Sequence, residues 1–237
     1  MSAPAPDLRQ PMEMGQILER ALAIYRQYPG PLLLMATVAL PVYLLTAALT
    51  TTLKSVRTSL AFGLPLGVLS ALITIVVAAA IARGLADVSL GIAPDFSRSY
   101  DLILARLPAL FLAVLRASLL LAVSCVTVVG PVYLAVRWAF LVQAVVLEDA
   151  RPGEALTLSS RMVSGYWWRT CRLLLAIGIL AAVPGIVSVI IFALAPVLVW
   201  TTILPVMAAL VLPFAGAAYT LLFFDLQARE ASRVSIA

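Results

Sequence analysis

The residues that could do chemistry are few in this sequence, and they are unevenly placed. Of 237 residues, 16 are lysine or arginine, 11 are aspartate or glutamate, and none is histidine. The acidic residues lack the compact spacing of a metal site, so neither an ordinary zinc centre nor a histidine-assisted phosphodiesterase can be built from them. No P-loop and no G-x-S-x-G motif occurs. We therefore predict no enzyme activity, no metal and no cofactor.

Seven charged side chains fall within residues 148–172, in a chain of which only 11% is charged. Such crowding fits either a reaction centre or a segment on a membrane surface between apolar spans, and we favour the surface. Tyrosine and tryptophan are typical of the membrane–water interface, and arginine pairs with lipid phosphates. We predict an interfacial anchor, with an aromatic ligand site as the alternative. The predicted interfacial anchor comprises Tyr166, Trp167, Trp168, Arg169 and Arg172.

Two arginines, Arg116 and Arg137, interrupt otherwise apolar segments. Charge inside a membrane marks a functional site by default, so this pair could attract an anionic solute or a lipid headgroup. The competing interpretation is structural, because an arginine side chain can extend toward the nearer membrane surface. In that case Arg116 pairs with Glu148, or with Asp225 as second choice, and Gln143 lies level with it on the neighbouring helix. The predicted intramembrane polar site comprises Arg116, Arg137, Gln143, Glu148 and Asp225.

These side chains must be positioned by apolar helices, because 63% of the residues are apolar and the mean hydropathy is +1.09. Soluble domains are about 45–50% apolar, and a membrane-spanning helix needs about 20 apolar residues. The chain is therefore predicted to be an all-α integral membrane protein with one polytopic domain. Its six predicted spans cover residues 31–53, 60–82, 107–128, 131–147, 173–194 and 198–223.

Three amphipathic helices are predicted on one side of these spans, each before an odd-numbered span. Each begins with proline and an acidic residue, which both suit the first turn of a helix. Their apolar residues recur on one face, as in helices that lie in the plane of the membrane interface. With the spans they form three units, each of one interfacial helix and one hairpin. The predicted helices cover residues 11–28, 94–106 and 152–168.

The basic residues indicate the orientation. Of the 16, two lie inside spans, two (Lys54 and Arg57) lie in the loop after the first span, and the other 12 share the opposite side. By the positive-inside rule that side is cytoplasmic, so the amphipathic helices and both termini are predicted to be cytoplasmic. One lysine against fifteen arginines suggests a GC-rich bacterial genome. We predict the bacterial inner membrane as the location.

The run from Arg137 to Arg172, the FFDLQARE segment and ILERALAIYRQYPGPLL together resemble one group of membrane proteins. They are similar to the glycerophosphoryl diester phosphodiesterase membrane-domain family and related uncharacterised bacterial proteins. In that family hydrolysis belongs to a separate soluble domain, so the resemblance implies a multi-span membrane domain without hydrolase activity. The positions that carry it are Glu148, Ala155, Leu156, Ser159, Gly165, Trp168, Arg169, Phe224, Asp225 and Leu226.

The function that these features favour is a non-enzymatic membrane or interaction module. The alternative is a small-solute or lipid transporter that uses the intramembrane arginines, which requires a water-filled cavity near them. Predicted partners are membrane lipids with anionic headgroups, and a second copy of the chain or another membrane protein. Nucleic acid is excluded because the arginines occur singly rather than in a basic run. Recurring small residues such as Gly178 and Ala182 allow close helix packing in a bundle or a dimer.

Overall fold

The computed structural model describes residues 10–52, 59–127, 129–191 and 199–234, most of which are helical. The loop residues Lys54 and Arg57, and residues 53, 128, 192–194 and 198 of the predicted spans, lie outside the described residues. Short π-helical turns at Ser59–Gly63 and Val199–Ile203 lead into two of the helices. In chain order the helices are α1 Met14–Gln27, α2 Pro29–Thr37, α3 Leu40–Thr52, α4 Leu64–Ser89, α5 Phe96–Ser124, α6 Val129–Arg137, α7 Leu141–Leu147, α8 Pro152–Val163, α9 Trp167–Ile191 and α10 Leu204–Val234.

The structure supports the predicted all-α class of membrane protein. Among the described residues, five helical segments are long and apolar enough to cross a membrane, and α2 with α3 form a sixth segment that is bent by 44°. The first predicted span is therefore two helices rather than one. Pro41 lies in the first turn of α3 and has no N–H to donate to the carbonyl of Thr37, so the helix is interrupted there.

The second amphipathic helix and the third span, predicted as separate segments at 94–106 and 107–128, form the single helix α5. Its start is fixed by Asp95, whose carboxylate accepts a hydrogen bond from the N–H of Arg98 at 2.8 Å. Pro108 lies inside α5 but does not end it. Proline lacks the N–H that would donate to the carbonyl four residues earlier, so the helix loses one hydrogen bond. That carbonyl belongs to Leu104, which is exposed.

The third amphipathic helix ends earlier than predicted. It was expected to run to Trp168, but α8 ends at Val163 because Gly165 takes a φ of +86°, which a helix does not permit. Such a positive φ favours glycine, which has no Cβ to clash. The N–H of Tyr166 then closes the turn on the carbonyl of Val163 at 2.9 Å. As a result, Trp167 and Trp168 begin the next helix, α9.

The first amphipathic helix, predicted at 11–28, forms as α1, but it lies lengthwise along α10. The N–H of Met12 donates to Asp225 at 2.7 Å, and the Tyr25 hydroxyl donates to the Leu210 carbonyl at 3.1 Å. Fifteen residues of helix separate these two acceptors, a rise of about 22 Å. These contacts give the direction of α1 along α10, and its predicted position in the membrane plane stays a prediction. The face of α1 that packs inward consists of Ile17, Ala21 and Ile24.

One end of the α9–α10 pair, here called the base, is formed by residues 166–172 of α9 with its preceding turn and residues 223–233 of α10. Segment 129–148 lies across this base. Tyr133 stacks on Trp167 with 5.8 Å between ring centres, and Glu148 accepts a hydrogen bond from Gln227 at 2.6 Å. Gly130–Leu147 has the length and hydropathy of a span. Both of its ends nevertheless meet the same end of α9 and α10.

The core is concentrated at the base. Residues 220–226 of α10 are all buried, so every side of the helix is covered there by other helices. Phe223 is fully buried and its ring centre lies 6.0 Å from that of Phe140. Farther along, α9 exposes large apolar side chains, as expected where lipid is the solvent. These side chains are Leu175, Ile179, Leu180, Val183, Ile186, Val187, Val189 and Ile190.

Candidate functional site

Asp225 is fully buried at the base, and its carboxylate joins three distant parts of the chain. It accepts hydrogen bonds from the N–H of Met12 at 2.7 Å, from Nε of Arg229 at 2.9 Å and from Nη2 of Arg169 at 3.2 Å. Arg229 lies one helical turn away on α10, whereas Arg169 comes from the first turn of α9. Burial of a carboxylate is costly without such partners. We call these four residues the Asp225 centre.

The charges within the Asp225 centre do not balance. Two guanidinium groups face one carboxylate, and both also donate to the main-chain carbonyl of Met12, Arg169 at 2.5 Å and Arg229 at 3.0 Å. A carbonyl oxygen carries only a partial negative charge. In addition, Nε of Arg169 is buried and has no hydrogen-bond partner within the described part of the chain. The centre therefore carries one excess positive charge and attracts anions.

Three further arginines surround the centre, and we call them the basic rim. Arg161 pairs with Glu230 at 2.7 Å. Arg172 donates to the Trp168 carbonyl at 3.4 Å, and it is exposed. Arg233 lies over the ring of Tyr166, 5.7 Å from its centre. The basic rim and the Asp225 centre together bring five arginines to the base.

The residues of the predicted aromatic anchor lie next to this basic group. Trp168 is 74% exposed, and Trp167 meets it edge to face with 4.8 Å between ring centres. The indole N–H of Trp167 also donates to the carbonyl of Tyr133 at 3.4 Å. The structure thus brings all five predicted anchor residues to one end of the bundle. Their depth in a membrane stays a prediction.

The predicted partnership of Arg116 is wrong. Glu148 accepts from Gln227, and Asp225 is occupied by Met12, Arg169 and Arg229. Arg116 is exposed, and across the described ranges it makes no ion pair or hydrogen bond. Its guanidinium instead approaches the start of α8, where Nη1 lies 3.5 Å from the position of a Cβ on Gly153.

Arg106, which the sequence analysis did not single out, takes the position expected for Arg116. Its Nη1 donates to the carbonyls of Val145 and Val146 at 3.3 and 2.9 Å, and its Nη2 pairs with Asp149 at 3.1 Å. These carbonyls end α7 and have no partner within their own helix. In a hairpin that turns near residue 127, Arg106 is level with the end of α7. Counting back from the turn could have identified it.

Arg137 and Gln143 do not join Arg116 in one site. Arg137 ends α6, where its Nη1 donates to the Tyr133 hydroxyl at 3.3 Å. Ser159 of α8 bridges the break between α6 and α7, because its hydroxyl donates to the Arg137 carbonyl at 2.9 Å and accepts from the N–H of Phe140 at 3.3 Å. Gln143 is buried in α7, and its side-chain oxygen has no partner among the described atoms.

The cavities near the helices are mostly apolar. A cleft of about 410 Å³ lies between α4 and α5, and a groove of about 390 Å³ lies between α1, α9 and α10. Neither Arg116 nor Arg137 lines them. A polar hollow of about 380 Å³ lies at the start of α8. In residues 10–52, 59–127, 129–191 and 199–234, no three carboxylates or thiols are grouped closely enough to hold a metal ion. The apolar cleft between α4 and α5 is lined by Leu72, Ile73, Ile75, Val76, Leu107, Pro108, Leu110, Phe111 and Val114.

Comparisons of the chain with protein families, with curated proteins and with solved structures give no match. The resemblance to the phosphodiesterase membrane-domain family therefore stays a prediction.

Proposed function

We propose that this chain is a non-enzymatic module of the bacterial inner membrane whose base binds anionic lipid headgroups on the cytoplasmic side. The observation that carries the proposal is the cluster of five arginines at the base against three carboxylates, those of Glu148, Asp225 and Glu230, an excess of two positive charges. Exposed aromatic rings lie beside them, as in segments at headgroup depth. Each basic side chain near an anionic membrane surface contributes about 1 kcal/mol to binding.

The contacts favour a module over a transporter. A transporter that uses the intramembrane arginines needs a polar cavity that Arg116 or Arg137 can reach. The cleft between α4 and α5 and the groove beside α1 are lined almost entirely by apolar side chains, and neither arginine lines them. The polar hollow at the start of α8 is lined by Glu148, Asp149, Glu154 and Arg161, but not by Arg116 or Arg137. Arg137 is instead used at a helix break. Lipid acyl chains suit such apolar surfaces better than a hydrated solute does.

The lipid preference can be measured by thermal unfolding in nanodiscs. We expect a higher Tm in phosphatidylglycerol than in phosphatidylcholine, and a smaller difference at high salt because exposed charges are screened. Arg172→Gln combined with Arg233→Gln should remove most of the difference, since both side chains are exposed at the base. Arg116→Gln is the matched control, because Arg116 is also exposed but lies outside the base, and it should keep the difference. Equal Tm values of the parent protein in the two lipids would refute the proposal.

The orientation is tested by labelling with a membrane-impermeant thiol reagent in intact bacterial cells. Cys125 and Cys171 are first replaced, and single cysteines are placed at Lys54 or at Ser164, an exposed residue after α8. We expect labelling from outside at position 54 and none at position 164 until the cells are opened. The reverse pattern would place the base on the outer side of the membrane.

A further inference from the structure

Met12 forms hydrogen bonds with the other three residues of the Asp225 centre through its main chain. Its N–H donates to Oδ1 of Asp225, and its carbonyl oxygen accepts from Nη2 of both Arg169 and Arg229. One neutral oxygen is thus held by two guanidinium groups. In proteins this arrangement is typical of a carboxylate or phosphate oxygen, which forms shorter and stronger hydrogen bonds with arginine.

Met12 itself is buried, with 2% exposure, but the two arginines that hold its carbonyl are partly exposed at the base. The side chains of Arg169 and Arg229 retain 21% and 25% of their exposure, and the exposed Arg233 lies one turn beyond Arg229 on α10. The buried Nε of Arg169, which lacks a partner in the described chain, offers one more donor. An anion can therefore meet the exposed parts of both arginines from the base, and it takes the place of the carbonyl once Met12 leaves its buried position.

We propose that the Met12 carbonyl occupies an oxyanion site formed by Arg169 and Arg229, and that a phosphate group displaces it. Docking of the start of α1 and binding of the phosphate are then mutually exclusive. This rests on the proposed function, because the lipid headgroup is the phosphate that the base would meet. Free phosphate has the same chemistry and would compete for the same two side chains.

Only the start of α1 should respond to the phosphate. The other end of the helix keeps the hydrogen bond from Tyr25 to Leu210, and its inward face keeps Ile17, Ala21 and Ile24 buried. Loss of the Met12 contacts therefore frees the first turn and leaves the rest of α1 against α10. Linkage requires the converse effect as well, since a weaker Met12 contact must strengthen phosphate binding.

A spin label at position 15 reports on this first turn. Gly15 is exposed, one turn after Met12, and a Cβ there would meet no atom within 4 Å. The full chain without native cysteines is labelled at Gly15→Cys and placed in phosphatidylcholine nanodiscs with increasing phosphatidylglycerol. We expect the label to become more mobile as the anionic fraction rises. Gly30→Cys, equally open at the start of α2, is the matched control and should not change.

Variants and a second probe separate the outcomes. Met12→Pro removes the N–H that Asp225 accepts, so half of the mobility change should occur at an anionic fraction at least threefold lower, whereas Arg229→Gln should abolish the change. Inorganic phosphate in pure phosphatidylcholine distinguishes a free anion from a headgroup, and mobilisation by either supports the oxyanion site. A position-15 label that responds to neither, in a protein that is still stabilised by phosphatidylglycerol, overturns this inference alone. Absence of both effects overturns the proposed function as well. If Met12→Pro does not fold, the parent titration decides.

Discussion

Replacing Asp225 by alanine should lower the free energy of unfolding by about 3–5 kcal/mol, because it removes a fully buried carboxylate and leaves two partly buried arginines without it. The N–H of Met12 also loses its acceptor, and the junction of α1, α9 and α10 loses the group that they share. The loss is measured by titrating the purified protein in mixed micelles with a denaturing detergent. The helical signal should fall at a clearly lower detergent fraction than in the parent protein.

Glu230→Ala is the matched control for this substitution. Glu230 lies five residues later on α10 and makes one ion pair with Arg161, whose side chain is 72% exposed. Exposed pairs of this kind contribute about 0–1 kcal/mol. If Glu230→Ala destabilised the protein as much as Asp225→Ala, the Asp225 centre would not be the junction described here.

Replacing Phe223 by alanine should cost about 3–5 kcal/mol, since the ring is fully buried and little can fill the space. The same detergent titration measures the loss. Phe111→Ala removes an equal side chain from a site on α5 that is 50% exposed, and it should cost much less. Similar losses at the two positions would mean that the core is not concentrated at the base.

Combining Phe223→Ala with Phe140→Ala tests whether segment 129–148 crosses the base. The two rings lie 6.0 Å apart, and aromatic pairs contribute about 0.5–1.5 kcal/mol beyond the area they bury. The double variant should therefore lose less stability than the sum of the two single losses. If the two single losses add up to the loss of the double variant, the two rings do not interact, and segment 129–148 does not cross the base.

The helices could be predicted from the sequence because their cause is local. Long apolar runs form helices in lipid, and Pro152 and Asp95 mark the starts of α8 and α5 as expected. Where helices stop proved harder to predict. The predicted boundary between residues 106 and 107 lies within α5, whereas the boundary after α8 depends on the backbone conformation of Gly165.

The candidate site was predictable by residue type but not by partner. Arginines and tryptophans near residue 168 indicated a membrane end, and the structure brings them together at the base. The partner of Asp225 was missed because Met12 lies 213 residues earlier and contributes only its main chain, which carries no sequence signal. Arg116 was singled out because it interrupts an apolar run. The contact of Arg106 with the end of α7 could instead have been predicted from the register of the hairpin.

The span of 213 residues between Met12 and Asp225 also sets an order of events during synthesis. At about 5–20 residues per second, roughly 10–40 s pass between the translation of Met12 and that of its acceptor. Throughout this interval α10 does not yet exist, and α1 has no helix to lie along. An amphipathic helix without a partner lies in the membrane interface, so we expect the arrangement predicted from the sequence in the nascent chain. Ribosome-bound chains arrested before residue 210 should therefore hold α1 flat on the membrane surface, and its contacts along α10 should form only after α10 has been synthesised.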